Sequence, residues 1–242
     1  MDISRQTEVF VPSDYDKTIN IIGCGATGSW VALMLAKMGV KKFNLIDMDS
    51  VEEHNIPNQF FSTEDIGRYK SEVLAERIRK ESGYGKDEQS INYLVEEVTS
   101  NNLDDIIKDG VVFCLVDSMS ARRDIFDGLK YKTNIDLYID TRMGIDFMRV
   151  YSVSVSNSDH IEMYEKTLCE DTESSESFCG VSQSIVATAS MVASFAVWNF
   201  IQYVQHKTVM ELENETIFAL RPMAYLQTKW DNIASQNTDL FN

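Results

Sequence analysis

Three glycines with the spacing G-x-G-x-x-G, Gly23, Gly25 and Gly28, lie in the segment "INIIGCGATGSW". In a loop between a strand and a helix, the first glycine permits a tight turn and the second lets a phosphate approach the backbone. The third lets helix and strand pack closely, and the helix N-terminus favours an anion. We therefore expect these glycines, with Ala26 and Thr27 between them, to bind nucleotide phosphates.

An acidic residue follows the glycine loop at the sequence distance expected of a ribose-binding carboxylate. Asp47 ends the next apolar run, 19 residues after Gly28. In dinucleotide-binding folds, a carboxylate about this far along hydrogen-bonds a ribose hydroxyl. The combination predicts a ribose-containing nucleotide, and the alternative is a glycine-rich turn with no ligand. Nicotinamide, flavin and ATP remain open at this point.

The stretch after Asp47 favours ATP. It places Asp49, Asn55, Gln59 and Lys70 along a loop and a helix start that follow the expected ribose site. An enzyme that transfers hydride needs no particular residues there. An asparagine offers a neutral donor and a lysine offers a mobile point charge, which suits a triphosphate whose negative charge shifts during reaction. Taken one by one, each residue is typical of a solvated surface, and their order is what carries the prediction.

The elements that must position these residues alternate between strands and helices. Over about 140 residues this alternation predicts an α/β fold with a doubly wound, Rossmann-like and mostly parallel sheet. The predicted strands are "TINIIG", "KKFNLID", "INYLVEEV", "GVVFCLVD" and "LYID", and the predicted helices cover 26–38, 69–82, 102–109 and 118–130.

The C-terminal third follows a different pattern. "FMRVYSVSV" alternates like an antiparallel strand, a polar loop and a long apolar helix follow, and "TIFAL" and "AYLQT" are short strand-like runs. We predict one domain over 1–242, with an N-terminal arm at 1–17 and a nucleotide-binding core at 18–145. Residues 146–242 are expected to extend the sheet and to supply a crossover loop and a late buried helix.

Composition narrows the cellular setting and the partners. The formal net charge of −16 repels nucleic acid, and the residues after Met1 do not resemble a secretory leader, so a cytoplasmic protein is expected. The twenty uncharged residues from Ile185 to Val204 are long enough to span a membrane. Because many of them are alanine or polar and no basic cluster flanks them, we predict a buried helix instead.

The four cysteines are scattered and include no C-x-x-C pair. Structural zinc sites usually take thiolate ligands from such closely spaced pairs, so no zinc is expected. The three histidines are also widely separated and form no metal or triad pattern.

Five segments together resemble a known family: "GCGATG", "IDMDSVEEHN", "NQFF", "DIGRYK" and "LVDSMSARR". They are similar to the ThiF/MoeB/HesA adenylyltransferases, the bacterial relatives of the ubiquitin-activating enzymes. The resemblance runs from about Ser4 to Phe200. It implies that ATP activates the C-terminal carboxylate of a ubiquitin-like or sulfur-carrier protein as an acyl-adenylate, with release of pyrophosphate. It also implies a dimer with the nucleotide near the subunit boundary.

The resemblance assigns roles to individual residues. Asp47 matches the acid that binds ribose, and Asp49 matches a second family aspartate. Asn55 and Lys70 match residues that contact the phosphates, and Asp117 matches the residue tied to Mg²⁺. Gln59 joins these nucleotide-binding positions.

Two further positions bear on the phosphates. Arg5 resembles an N-terminal arginine that reaches the partner's active site across the dimer. The family pattern Asn-x-x-Arg-Gln becomes "NIPNQ" here, so Asn58 stands where a phosphate-binding arginine is expected. Losing that contact weakens transition-state stabilisation, so we expect either another cation, for which Arg68 is the candidate, or a slower or specialised enzyme.

A thiol acceptor for the adenylate is a further possibility raised by the resemblance. Cys179 precedes a segment similar to the entry of the family's late helix, and Cys169 lies in the acidic loop before it. The neighbouring carboxylates raise the pKa of a thiol and oppose its reactivity unless a helix N-terminus compensates. Cys179, Cys169 and no thiol at all remain open.

Three other functions stay under consideration. The chain could adenylate a short peptide or the carboxylate of a modified nucleoside. It could be a nucleotide-binding scaffold without activity, an idea motivated by Asn58. A nicotinamide-dependent oxidoreductase is the third, although no catalytic His, Tyr or Lys pair follows the nucleotide half.

Overall fold

A computed structural model describes residues 2–82, 90–168 and 184–230. Within these ranges eight strands form one sheet in the order β3-β2-β1-β4-β5-β6-β7-β8. The strands are β1 Ile19–Ile22, β2 Lys42–Ile46, β3 Ser90–Leu94, β4 Gly110–Cys114, β5 Ile135–Met143, β6 Phe147–Val153, β7 Glu215–Leu220 and β8 Met223–Thr228.

The first five strands pair in parallel, and β5 to β8 pair antiparallel. The connecting helices are α1 Gly28–Lys37, α2 Lys70–Glu81, α3 Leu103–Ile106, α4 Met119–Leu129, α5 Ser158–Glu165 and α6 Val186–His206. The predicted α/β fold with an antiparallel extension is therefore confirmed.

The sheet separates two apolar layers. Strands β1 and β4 are buried along their whole length, as expected of parallel strands covered on both faces. One layer packs α1, α2 and α6 against the sheet and includes Leu35, Leu74 and Phe200. The other packs α3, α4 and α5 against the opposite face and includes Phe126 and Ile161. The carboxyl ends of the parallel strands stay uncovered by these layers.

Helix α6 packs in the core as the small-residue pattern predicts. Its buried residues include Ala189, Ala193 and Ala196, and it contacts α1 and the sheet. Phe200 is fully buried, with its ring centroid 5.2 Å from Tyr15 and 5.8 Å from Phe10. Among the described residues, none of the helices has the length and apolar character needed to cross a bilayer.

Several element bounds differ from the sequence-based expectations. Strand β3 ends at Leu94 and helix α3 covers only Leu103–Ile106, so both are shorter than predicted. Strand β5 runs from Ile135 to Met143 instead of 137–140, because β6 pairs with it as far as Met143. Helix α5 is unpredicted. It begins after Asn157, whose Oδ1 accepts hydrogen bonds from the backbone N–H groups of Asp159 and His160.

Candidate nucleotide site

A cavity of about 1180 Å³ opens at the carboxyl ends of β1, β2 and β4, where the strand order reverses. Such a reversal is where open α/β sheets bind ligands. The cavity wall contains every predicted nucleotide-binding residue except Gly28. These are Gly23, Gly25, Ala26, Thr27, Asp47, Asp49, Asn55, Gln59, Lys70 and Asp117.

The three glycines have the steric roles that their spacing predicts. Gly23 has φ +92°, and a Cβ on it would lie 2.7 Å from the carbonyl oxygen of Leu115. A Cβ on Gly28 would lie 1.9 Å from the carbonyl oxygen of Gly23, so helix and strand touch there. A Cβ on Gly25 would meet only the Gln59 Nε2, at 3.8 Å. The space in front of Gly25 is therefore open to a ligand.

Alanine substitutions at Gly28 and Gly25 are expected to have different effects, the first on stability and the second on ATP binding. Gly28→Ala should destabilise the fold by about 3 kcal/mol or more, because its Cβ collides with backbone. Gly25→Ala should change the free energy of unfolding by less than about 1 kcal/mol and still weaken ATP binding, because the methyl group fills the space left for a phosphate. Urea denaturation and calorimetric ATP titration check both. Equal ATP affinity of Gly25→Ala and the unmodified chain would contradict the assignment.

Asp47 joins the glycine loop to the end of β2. Its Oδ2 accepts from the Cys24 backbone N–H at 2.7 Å, and its Oδ1 accepts from the Asp49 backbone N–H at 2.8 Å. Burial raises the pKa of this carboxyl, and the two hydrogen bonds and Lys70 oppose that shift. Each carboxylate oxygen has a second lone pair, so the group can also accept from a ribose hydroxyl.

Lys70 brings a sheltered positive charge to the cavity wall. Its side chain is 10% exposed, and its Nζ lies 2.8 Å from the Asp49 Oδ2, whose side chain is 58% exposed. The backbone N–H of Lys70 also donates to the Asp49 carbonyl, and the Ser71 Oγ donates to the Asp47 carbonyl. The start of α2 is thus fixed to the end of β2, which holds the ammonium at the cavity.

The loop between β2 and α2 shapes the facing wall. Asn55 is buried, and its Oδ1 accepts from the Glu52 backbone N–H at 2.8 Å, which closes a short 3-10 turn. Asn58 also lines the cavity, and its Nδ2 donates to the Ser184 Oγ at 2.7 Å. The side-chain oxygens of Asn58 and Gln59 are buried without a hydrogen-bond partner in the described part of the chain.

The remaining predicted residues lie in different surroundings. Asp117 follows β4, is exposed, lines the cavity and makes no side-chain hydrogen bond to the described residues. Arg5 is exposed in the N-terminal arm and does not line the cavity of its own chain. Cys179 and Cys169 fall outside the described residues.

Arg68 does not compensate for Asn58, contrary to the sequence-based expectation. Its Nη2 bonds Glu72 at 3.1 Å and Glu76 at 2.9 Å along α2, and it does not line the cavity. Arg68 precedes α2 by two residues, and its guanidinium bonds two carboxylates on that helix instead of facing the cavity.

Sequence reasoning missed the two arginines that do line the cavity. Arg122 on α4 and Arg142 on β5 both bond Asp140, from their Nε atoms to Oδ1 at 2.8 Å and Oδ2 at 2.9 Å. Tyr164 donates to the same Oδ2 at 3.0 Å. The available signal was "IDTRMG", in which two charges two residues apart end an otherwise apolar strand and so share one face of it.

The described histidines and acids hold no ready metal cluster. Within 2–82, 90–168 and 184–230, no group of three or more His, Cys, Asp or Glu side chains could bind a metal ion. His54 lines the cavity at its exposed rim, and His160 is fully buried.

Two buried thiols are expected to be inert in the native protein. Burial raises the pKa of the Cys114 thiol to about 12, and burial followed by the Asp47 charge raises the pKa of Cys24 well above its usual value. Because the thiolate is the reactive form, alkylation at pH 7.5 should be at least about a hundredfold slower than in urea. Iodoacetamide labelling and peptide mass spectrometry measure this, and rapid native labelling of either residue would be the contrary result.

Curated relatives share parts of this sequence. The tRNA threonylcarbamoyladenosine dehydratase of Escherichia coli is 44% identical over 66 residues, which are 27% of this chain and 25% of that protein. The enzyme of the same name from Haemophilus influenzae is 30% identical over 50% of this chain and 42% of its own length. The sulfur carrier protein ThiS adenylyltransferase of Escherichia coli is 36% identical over 46% and 43%. The chain thus spans less than half of each relative.

Solved structures share the fold over more of the chain. MccB from E. coli, in a crystal structure with ATP, has a TM-score of 0.69 and 16% identity, over 89% of this chain and 64% of that one. PaaA has a TM-score of 0.69 and 17% identity, over 88% and 73%.

The family itself follows from a match that covers nearly the whole sequence. The sequence model of the ThiF family matches residues 15–239, which include all eight strands and the complete cavity wall. The chain belongs to the ThiF family.

Proposed function

We propose that this chain uses ATP to adenylate the C-terminal carboxylate of a ubiquitin-like or sulfur-carrier-like protein, with release of pyrophosphate. The observation that carries the proposal is the shared cavity of the glycine loop, Asp47, Lys70 and Asp117. Its two phosphate-facing features are the open backbone at Gly25 and the sheltered ammonium of Lys70. The ThiS adenylyltransferase among the relatives supports the same reaction class.

The adenylation reaction depends more on groups that neutralise negative charge at the phosphates than on a general base. A carboxylate oxygen attacks the α-phosphorus, a new P–O bond forms, and the bond to the pyrophosphate oxygen breaks. No proton has to move, because the nucleophile is already an anion. Backbone N–H groups of the glycine loop and the Lys70 ammonium would stabilise the charge that gathers on the phosphate oxygens.

Mg²⁺ fits this arrangement. Asp117 presents an exposed carboxylate without a hydrogen-bond partner in the described residues, and carboxylate oxygens suit this ion. When bound, the ion supplies additional charge neutralisation at the phosphates. Asp117 would hold the ion near the carboxyl end of β4.

A second substrate class has its own support. A relative with 44% local identity is a tRNA threonylcarbamoyladenosine dehydratase, and the fold neighbour MccB has been crystallised with MccA. The carboxylate of a modified nucleoside or of a short peptide is therefore the alternative acceptor. The cavity chemistry is the same in both cases, because the acyl group changes and the nucleotide does not.

Isotope exchange between pyrophosphate and ATP tests the proposal. The chain is incubated with Mg²⁺, ATP, labelled pyrophosphate and one carboxylate class at a time: carrier protein, peptide or modified nucleoside. Exchange that depends on a carboxylate supports adenylation and identifies the class. ATP binding without exchange under any of these conditions would favour a nucleotide-binding scaffold instead.

We also propose that the active form is a homodimer in which a second copy supplies Arg5. Arg5 lies outside the cavity of its own chain, which leaves this role compatible with the fold. A transfer of the acyl group to Cys179 remains a prediction from the sequence.

A further inference from the structure

The two arginines at the cavity share a single carboxylate. Asp140 is fully buried, and the Arg122 and Arg142 side chains are 5% and 1% exposed. Among the described residues, two guanidinium groups bond one carboxylate, which leaves a surplus of one buried positive charge. A buried charge without a partner is costly, because the low-dielectric interior solvates it poorly.

Within 2–82, 90–168 and 184–230, the polar groups that contact Arg122, Arg142 and Asp140 do not neutralise this surplus charge. Burial raises the pKa of the Tyr138 and Tyr164 hydroxyls well above their usual value, and it raises that of the Cys114 thiol to about 12. These groups are therefore neutral at physiological pH. The Tyr151 ring lies 4.5 Å from the Arg142 guanidinium carbon, a cation–π contact that offsets only part of the cost.

The hydrogen bonds of the cluster leave a donor available on the cavity side. The Arg122 Nη2 donates to the carbonyls of Val116 and Thr141, and its Nε donates to Asp140. Its Nη1 makes no hydrogen bond in the described part of the chain. Both Nη groups of Arg142 donate to Thr167. Its Nη1 donates to the carbonyl at 2.7 Å, and its Nη2 donates to Oγ1 at 2.9 Å.

The rest of the described wall is rich in acids. Apart from Arg122 and Arg142, the described wall contains one Lys or Arg side chain. That side chain is Lys70, which forms an ion pair with Asp49. The acidic lining residues are Asp47, Asp49, Glu52, Glu96, Glu97 and Asp117. A polyphosphate entering such a cavity needs a source of positive potential that these acids do not cancel.

We propose that Arg122 and Arg142, oriented by Asp140, form a binding element for the phosphate oxyanions of the nucleotide and take over the role expected of a cation at position 58. The proposal rests on the proposed function, since it assumes that the cavity binds ATP. Arg122 would contact the anion through Nη1, while Arg142 acts as a positioning residue and as the source of the surplus charge. Asp140 fixes the direction of both side chains.

Nucleotides that differ only in phosphate number test this inference. Arg142→Gln removes the surplus charge and keeps an amide donor for Thr167, whereas Arg142→Lys keeps the charge. Arg149→Gln is the matched control, because Arg149 bonds Glu215 on the neighbouring β7 and does not line the cavity. Calorimetry measures the dissociation constants of adenosine, AMP and ATP for each variant.

Arg142→Gln is expected to weaken ATP binding about tenfold, to weaken AMP less, and to leave adenosine unchanged, because only the charge at the phosphates is lost. Arg142→Lys should recover most of the ATP affinity, and Arg149→Gln should match the unmodified chain. Equal losses for adenosine and ATP would indicate a structural role and overturn the inference, as would unchanged ATP affinity.

A second variant and the ATP affinity of the unmodified chain complete the test. If Arg142→Gln fails to fold, Arg122→Gln gives the same comparison, because it leaves Arg142 and Asp140 as a neutral pair. Failure of the unmodified chain to bind ATP would count against the proposed function and this inference together. Normal ATP binding in the unmodified chain with no loss in the variants would overturn this inference alone.

Discussion

Replacing Lys70 with methionine is expected to lower ATP–pyrophosphate exchange by about a hundredfold or more, the typical effect of losing one charge-stabilising donor. Methionine keeps the apolar stem of the lysine and removes the ammonium from the cavity wall. Folding should be little affected, because the Asp49 carboxylate left behind is more than half exposed. Initial exchange rates and thermal unfolding, measured side by side, separate these two effects.

Lys37→Met is the matched control for this prediction. Lys37 pairs with Glu81 on the surface at 2.6 Å, so the Lys37→Met variant loses an ion pair that lies outside the cavity. It should retain normal exchange. Near-normal exchange by Lys70→Met would remove the lysine from the account of phosphate binding.

Replacing Asp117 with asparagine should reduce Mg²⁺-dependent turnover by roughly a thousandfold, since charge stabilisation by a bound metal is worth several kcal/mol. The carboxylate is exposed and lacks a hydrogen-bond partner among the described residues, so the substitution disturbs little else. The concentration of Mg²⁺ that gives half-maximal exchange should also rise, and a Mg²⁺ titration at saturating ATP measures it.

Asp127→Asn serves as the comparison for Asp117. Asp127 lies on α4, which begins two residues after Asp117, and it pairs with Lys130 at the surface. It should leave the Mg²⁺ dependence unchanged. If Asp117→Asn had the same Mg²⁺ titration curve as this control, the carboxylate would have no role in metal binding.

Local patterns were sufficient to predict the nucleotide half of the fold. Strands such as β1 and β4 are continuous apolar runs, and the glycine spacing fixes the turn between β1 and α1. Parallel strands place their carboxyl ends at one edge, so residues that follow different strands converge there. The predicted gathering of Asp47, Lys70 and Asp117 at one cavity follows from this geometry.

Contacts between distant segments were beyond such reasoning. The Asp140 cluster joins α4, β5 and α5, and nothing local in "IDTRMG" indicates that Arg122 reaches the same carboxylate. Arg68 was the candidate substitute cation, but its guanidinium bonds Glu72 and Glu76 on α2, contacts that the sequence does not show. Helix α5 is short, and its start depends on the side chain of Asn157.

A crystal structure with Mg²⁺ and a non-hydrolysable ATP analogue tests the central claim most directly. We predict that the ribose lies against Asp47 and that the phosphates lie over the Gly25 backbone within reach of Lys70. An analogue bound elsewhere at saturating concentration, or a cavity that stays empty, would contradict it.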